Sequence, residues 1–191
     1  KVYKGTKVYI GKATASKQAP SEEIVNLFTK MWHEDHSIIK LRKHIDYIKI
    51  TYRLSGNLAG TWNKVDKKIS IIDMDNPYTN YKGIIVHEII GHAFWDFSRK
   101  WRRTELIKFN ELANKLPPVN SYVKENETRW KMWNDDDDKD QQDSGHDGMT
   151  RYANEQHSAI TELIYNETHF ATLLDDKNID KLKALWKELH Y

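Results

Sequence analysis

The stretch His87-Glu88-Ile89-Ile90-Gly91-His92, inside the apolar run 83–97, decides how this chain is read. Ile84, Ile85, Val86, Ala93 and Phe94 around it make a segment suited to a core, where two imidazoles and a carboxylate need partners. Spacing adds a second demand. In a regular α-helix residues i and i+4 lie about 40° apart around the axis, whereas i and i+5 lie about 140° apart. On an undistorted helix His87 and His92 could not face a common partner. A π-type turn, bonded i→i+5, brings such a pair onto one face, and such turns concentrate at functional sites. Gly91 eases the distortion and lets another group come close to the backbone. The segment predicts a helix over 81–98 that leaves α geometry at the motif.

These six residues resemble the zinc-peptidase signature H-E-x-x-H lengthened by one, in the form H-E-x-x-G-H of the dipeptidyl peptidase III family. The resemblance covers about six of the 191 residues, and that family's chains are far longer. It implies that His87 and His92 bind one Zn²⁺ per chain and that Glu88 acts as base toward a zinc-activated water. It implies nothing about substrate. Catalytic zinc takes three protein ligands and keeps a fourth position open; with cysteine absent, the third ligand must be His or carboxylate. The segment around Tyr152-Ala153-Asn154-Glu155 is similar to the glutamate helix of gluzincins, including the thermolysin-like Asn-Glu pair and the Tyr-Ala of the lethal-factor-like and Pro-Pro endopeptidase families. That similarity favours Glu155 as third ligand, with His157 and Glu162 as alternatives. Glu155 and Glu162, seven apart on one helical face, could divide metal binding and histidine orientation between them. The same families place a tyrosine before their glutamate, which nominates Tyr152 as the oxyanion donor; His146 is an alternative from a polar loop.

Outward from the motif, the element order fits such an enzyme. Residues 2–10 have strand character and 11–19 are loop-like. Pro20-Ser21-Glu22-Glu23 starts a helix with the stripe Ile24, Leu27, Phe28 and Met31, ending near Trp32. Alternation over 45–54 predicts a half-buried strand, and 61–73 a further strand or hairpin with Ile69 and Ile71 on one face. After the motif, 102–116 reads as helix up to Pro117-Pro118, and 119–150 as a polar, turn-rich loop. A second helix runs from Thr150 to about Leu174, and a last one spans 180–191. Helix, sheet with an edge strand, then H-E helix looks like the zincin fold. The expected class is α+β, zincin-like: a small mixed sheet whose edge strand lines the cleft, packed on an active-site helix and a ligand helix. The expected organisation is one catalytic domain over 1–191, sheet-bearing in 1–80 and mainly helical in 81–191.

Composition narrows the function. With 39% hydrophobic residues, seven Trp and ten Tyr, the chain can bury a sizeable core, and no stretch approaches the ~18 apolar residues of a membrane span. It begins at Lys1 rather than Met, as expected after removal of a leader or a trimmed start; its compartment is open. The net charge of +2 conceals a gradient: residues 1–70 carry 14 Lys and Arg against 6 Asp and Glu, and residues 135–191 carry 6 against 14. The basic first third alternates lysines with apolar residues, the pattern of a solvated sheet face, so nucleic acid is not the expected partner. The acidic run at Asp135–Asp138 and Asp140 reads as a solvated loop, with a Ca²⁺ site as the lesser reading. His33 and His36 read as an exposed helix end. The expected activity is zinc-dependent hydrolysis of a peptide or protein substrate; the alternative is a catalytically inactive zincin-fold module binding protein or nucleic acid.

Overall fold

The structure, a computed structural model, describes residues 2–3, 5–54, 56, 58–74, 80–133, 148–168 and 170–191. The fold is α+β, and the chain forms two compact units, Lys1–Phe94 and Trp95–Tyr191.

In the first unit a mixed sheet contains β1 (Val2–Tyr3), β2 (Thr6–Ile10), β3 (Tyr47–Arg53), β4 (Gly60–Asn63) and β5 (Lys68–Met74), in the order β1-β2-β3-β5-β4. Strands β2, β3 and β5 are parallel; β1 and β4 pair antiparallel at the two edges. Periodicity predicts one strand over 2–10, but the chain folds back at Gly5, whose φ of +86° suits glycine. The segment 61–73 resolves into the hairpin β4–β5. Ile48 and Ile50 pair in register with Ile69 and Ile71, and all four are buried. Tyr47, Lys49 and Thr51 alternate with them and point to the opposite face.

Parallel β2 and β3 require a crossover, supplied by α1 (Glu22–Glu34) and α2 (His36–Leu41). Ser21 caps α1 by accepting from the Ile24 amide, Glu22 and Glu23 sit in its first turn, and Ile24, Phe28, Met31 and Trp32 form its buried stripe. Asp35 ends α1 in extended conformation and caps α2 by accepting from the Ile38 amide. The sequence predicts α1 as far as Trp32; α2 and the 3-10 turn Arg42–His44 are too short to leave a periodic signal.

Asp73, at the end of β5, is buried and joins three elements. One oxygen accepts from the Ser21 amide at 2.7 Å and the other from the Tyr81 hydroxyl at 2.6 Å, at the start of α3 (Tyr81–Ile85). Burial, then the bond to Asp73, pushes the Tyr81 hydroxyl up to about 12. Because the folded state favours the neutral phenol, this stabilisation is complete below pH 10 and disappears as pH rises towards about 12. Tyr81→Phe is expected to cost about 1–2 kcal/mol in urea unfolding near neutral pH. The gap from the parent should close across that alkaline window; a gap that does not change with pH would show that the hydroxyl proton is not what matters.

In the second unit, α5 (Arg103–Lys115) packs on α7 (Arg151–Ile164) and α8 (Asp176–His190), and α6 (Ser121–Met132) packs on α7. Leu106, Phe109, Ala113, Trp130, Ile160, Leu182 and Trp186 are buried there. Three expectations are corrected. The polar region 119–150 contains α6, capped by Asn120, which accepts from the Val123 amide. Only Val123 and Trp130 of α6 are buried, so charged residues hide its period. The helix expected to reach Leu174 stops at Ile164, because Asn166 takes a left-handed φ of +55° and an extended segment follows, with Thr172 bridged to Asn120. Finally α8 begins at Asp176, four residues before the expected start, where Asp175 caps it by accepting from the Asn178 amide. No helix among the described residues is long and apolar enough to cross a membrane.

Candidate metal centre

The motif lies in an uninterrupted helical run: α3, then a π-helical segment Val86–Ala93, then α4 (Phe94–Trp101). Asn80 starts it by accepting from the Gly83 amide at 3.0 Å. Ile85, Val86, Ile89, Ile90 and Ala93 are fully buried and anchor the turn on which the polar groups ride. The departure from α geometry falls where the i, i+5 spacing requires it. His87 and His92 converge, their Nε2 atoms 3.0 Å apart and their rings crossed at 76°.

Two imidazoles in that position can share one proton, but two imidazolium ions would repel each other. A bound cation is another partner that could satisfy both nitrogens. Tetrahedral Zn–N bonds of ~2.0–2.1 Å place two nitrogens about 3.4 Å apart, a few tenths of an ångström beyond the observed separation. Glu88, between the histidines in sequence, is 8% exposed. The edge strand β4 comes very close to it: a Cβ added at Gly60 would stand 2.8 Å from Glu88 Cγ and 2.9 Å from Ile84 Cγ2.

Of the three third-ligand candidates on α7, Glu155 is the one that groups with the histidines as a possible metal-holding set. Ligand atoms of His87, His92 and Glu155 all lie within 4.8 Å of one another, and the group could hold a metal ion. Glu155 is 2% exposed, and its Oε1 accepts from Arg151 Nη2, one helical turn earlier, at 2.9 Å. Two imidazoles and a carboxylate fit Zn²⁺ and other borderline divalent cations.

The other candidates have different surroundings. His157 is buried with its Nε2 2.9 Å from that of His190; the rings of Trp95 and Phe109 flank it, and Trp186 stacks on His190. Glu162 is buried on α7 outside the three-residue group. The Tyr152 hydroxyl donates to the Leu116 carbonyl at 2.7 Å and accepts from Gln156 Nε2 at 3.2 Å. Burial, with a smaller contribution from Glu127, raises its pKa strongly. His33 and His36 are exposed around the α1–α2 junction. His146, His169 and the Asp135–Asp140 run lie outside the described residues. Two residues at the site were not anticipated. Arg151 stands four before Glu155, a spacing that sequence alone displays. Gly60 carries no sequence signal, since its role comes from a close approach between distant segments.

Comparison with family models, with curated proteins and with solved structures finds no match.

Proposed function

We propose that the protein is a zinc-dependent peptidase of zincin-like architecture, with His87, His92 and Glu155 as metal ligands and Glu88 as general base. One observation carries this reading: an acid set between two imidazoles that converge on a π turn, with a carboxylate completing the donor group. Bound there, Zn²⁺ supplies Lewis acidity, lowering the pKa of water towards ~7 and polarising a carbonyl. Glu88 accepts the proton of the attacking water on its carboxylate and delivers it to the leaving amine. Its burial keeps competing solvent from the proton it carries. Arg151 fixes one Glu155 oxygen and offsets the charge of a buried carboxylate. Strand β4 is an edge of the sheet and packs on the π segment, so an extended peptide could add to it by backbone hydrogen bonds. Tyr152 braces α7 in this reading, because acting on an oxyanion would require breaking its bond to Leu116.

Gly60 follows as a positioning residue. Gly60→Ala forces a methyl against Glu88 and Ile84, and is expected to lower kcat about tenfold or more at unchanged metal content. A kcat equal to that of the parent would show that the strand can yield without moving the base.

The test is metal content of the purified protein together with cleavage of a quenched fluorescent peptide library. About one zinc per chain with chelator-sensitive cleavage supports the proposal. Bound metal without cleavage would favour the inactive binding module. Failure to take up zinc would favour a structural cluster, a reading to which the Arg151–Glu155 ion pair already lends weight.

A further inference from the structure

The sheet of the first unit buries one face through Ile48, Ile50, Ile69 and Ile71. Its other face is chemically distinctive. Strand pairing sets Tyr9 beside Lys49 and Lys7 beside Tyr47, so tyrosine and lysine alternate diagonally across β2 and β3. The loop after β2 adds Lys12 and Lys17, and the end of β3 adds Arg53. Tyr9, Lys12, Lys17, Tyr47, Lys49 and Arg53 line a depression of about 760 Å³ that has no Asp or Glu among its lining residues, and Lys7 lies beside it on β2. Tyr9 is 46% exposed, and Lys68 lies over the Tyr47 ring at 5.7 Å.

From this arrangement we infer that the outer sheet face binds single-stranded nucleic acid. Cations without intervening carboxylates recognise phosphates, and residues 1–70 carry a net excess of positive charge, 14 Lys and Arg against 6 Asp and Glu. Charge alone would suit any polyanion; the tyrosines narrow the choice. Aromatic rings presented on an open sheet face stack unpaired bases, whereas an acidic peptide would use the lysines and leave the rings idle. A depression of this size accommodates one or two nucleotides, and the flanking lysines extend the track along the backbone. The alternation that suggests mere solvation in the sequence also puts the rings and charges on one surface. Neither the metal nor Glu88 takes part, so this site stands or falls independently of the peptidase reading.

The experiment is fluorescence anisotropy of labelled oligo-dT and oligo-U, about ten nucleotides long, with the full chain, titrated at several salt concentrations. Binding that weakens steeply with salt is expected. Tyr9→Leu should weaken it about fivefold or more, and Lys49→Gln should reduce the salt slope by about one. Both substitutions lie on a solvent-facing surface, where folding should tolerate them. The inference is overturned by absence of binding at low salt, by Tyr9→Leu binding like the parent, or by poly-glutamate of equal length competing as well as unlabelled oligonucleotide.

Discussion

Glu88→Gln is expected to leave the metal in place while lowering peptide turnover about a thousandfold. The substitution keeps the shape of the side chain, so the contact with Gly60 and the packing of the π segment are undisturbed. It removes a single capacity, that of accepting a proton from water and returning it to the departing amine. Glu88 is not one of the three grouped donors, so metal content should remain that of the parent. In the proposed binding mode a peptide pairs with β4 through backbone groups, so KM should change little and the loss should fall on kcat. Turnover within a few-fold of the parent would remove Glu88 from the chemistry and, with it, the main reason for calling the site catalytic.

The second large effect is expected from His92→Ala. Removing one of the three proposed ligands leaves a pair that holds divalent cations weakly, so bound metal should fall from about one per chain to nearly none after dialysis. The fold should survive. Alanine is the best helix former, and the imidazole is replaced at a position anchored by fully buried neighbours. Circular dichroism should therefore match the parent. Zinc should raise the melting temperature of the parent, since a ligand at 100 times its Kd stabilises by about 2.7 kcal/mol, and should not raise that of the variant. Stoichiometric metal in folded His92→Ala would mean that the converging imidazoles are not the site.

Local rules made some of the molecule legible and left the rest hidden. Ser21 with its two following glutamates marks the start of α1, and the isoleucine alternation marks β3 and β5, because capping and pleat act over a few residues. The π segment was legible for the same reason: two histidines five apart, in an apolar setting, can converge in few ways. The proposed third ligand was not legible to the same degree. Glu155, His157 and Glu162 all belong to α7, and periodicity cannot tell which of them turns toward His87 and His92. What separates His157 is a partner 33 residues away, His190, and that pairing depends on how α8 lies against α7. The parallel strand order and the passage of Gly60 over Glu88 are likewise non-local. The end of α7 at Ile164 depends on the left-handed backbone of one residue beyond it, Asn166, which competed against an apolar stripe that continues in the sequence.

The π segment bears on how this chain can change in length. A π turn accommodates one more residue than an α turn, so the extra residue is absorbed within Val86–Ala93 and need not rotate the helix on either side. Deleting Gly91 would leave His-Glu-Ile-Ile-His, which a plain α-helix can present with both imidazoles on one face. Lengthening or shortening the helix outside this segment has no such outlet, since each residue added or lost there turns all that follows by about 100°. The site thus sits at the point in its helix where an insertion or deletion disturbs the surrounding packing least.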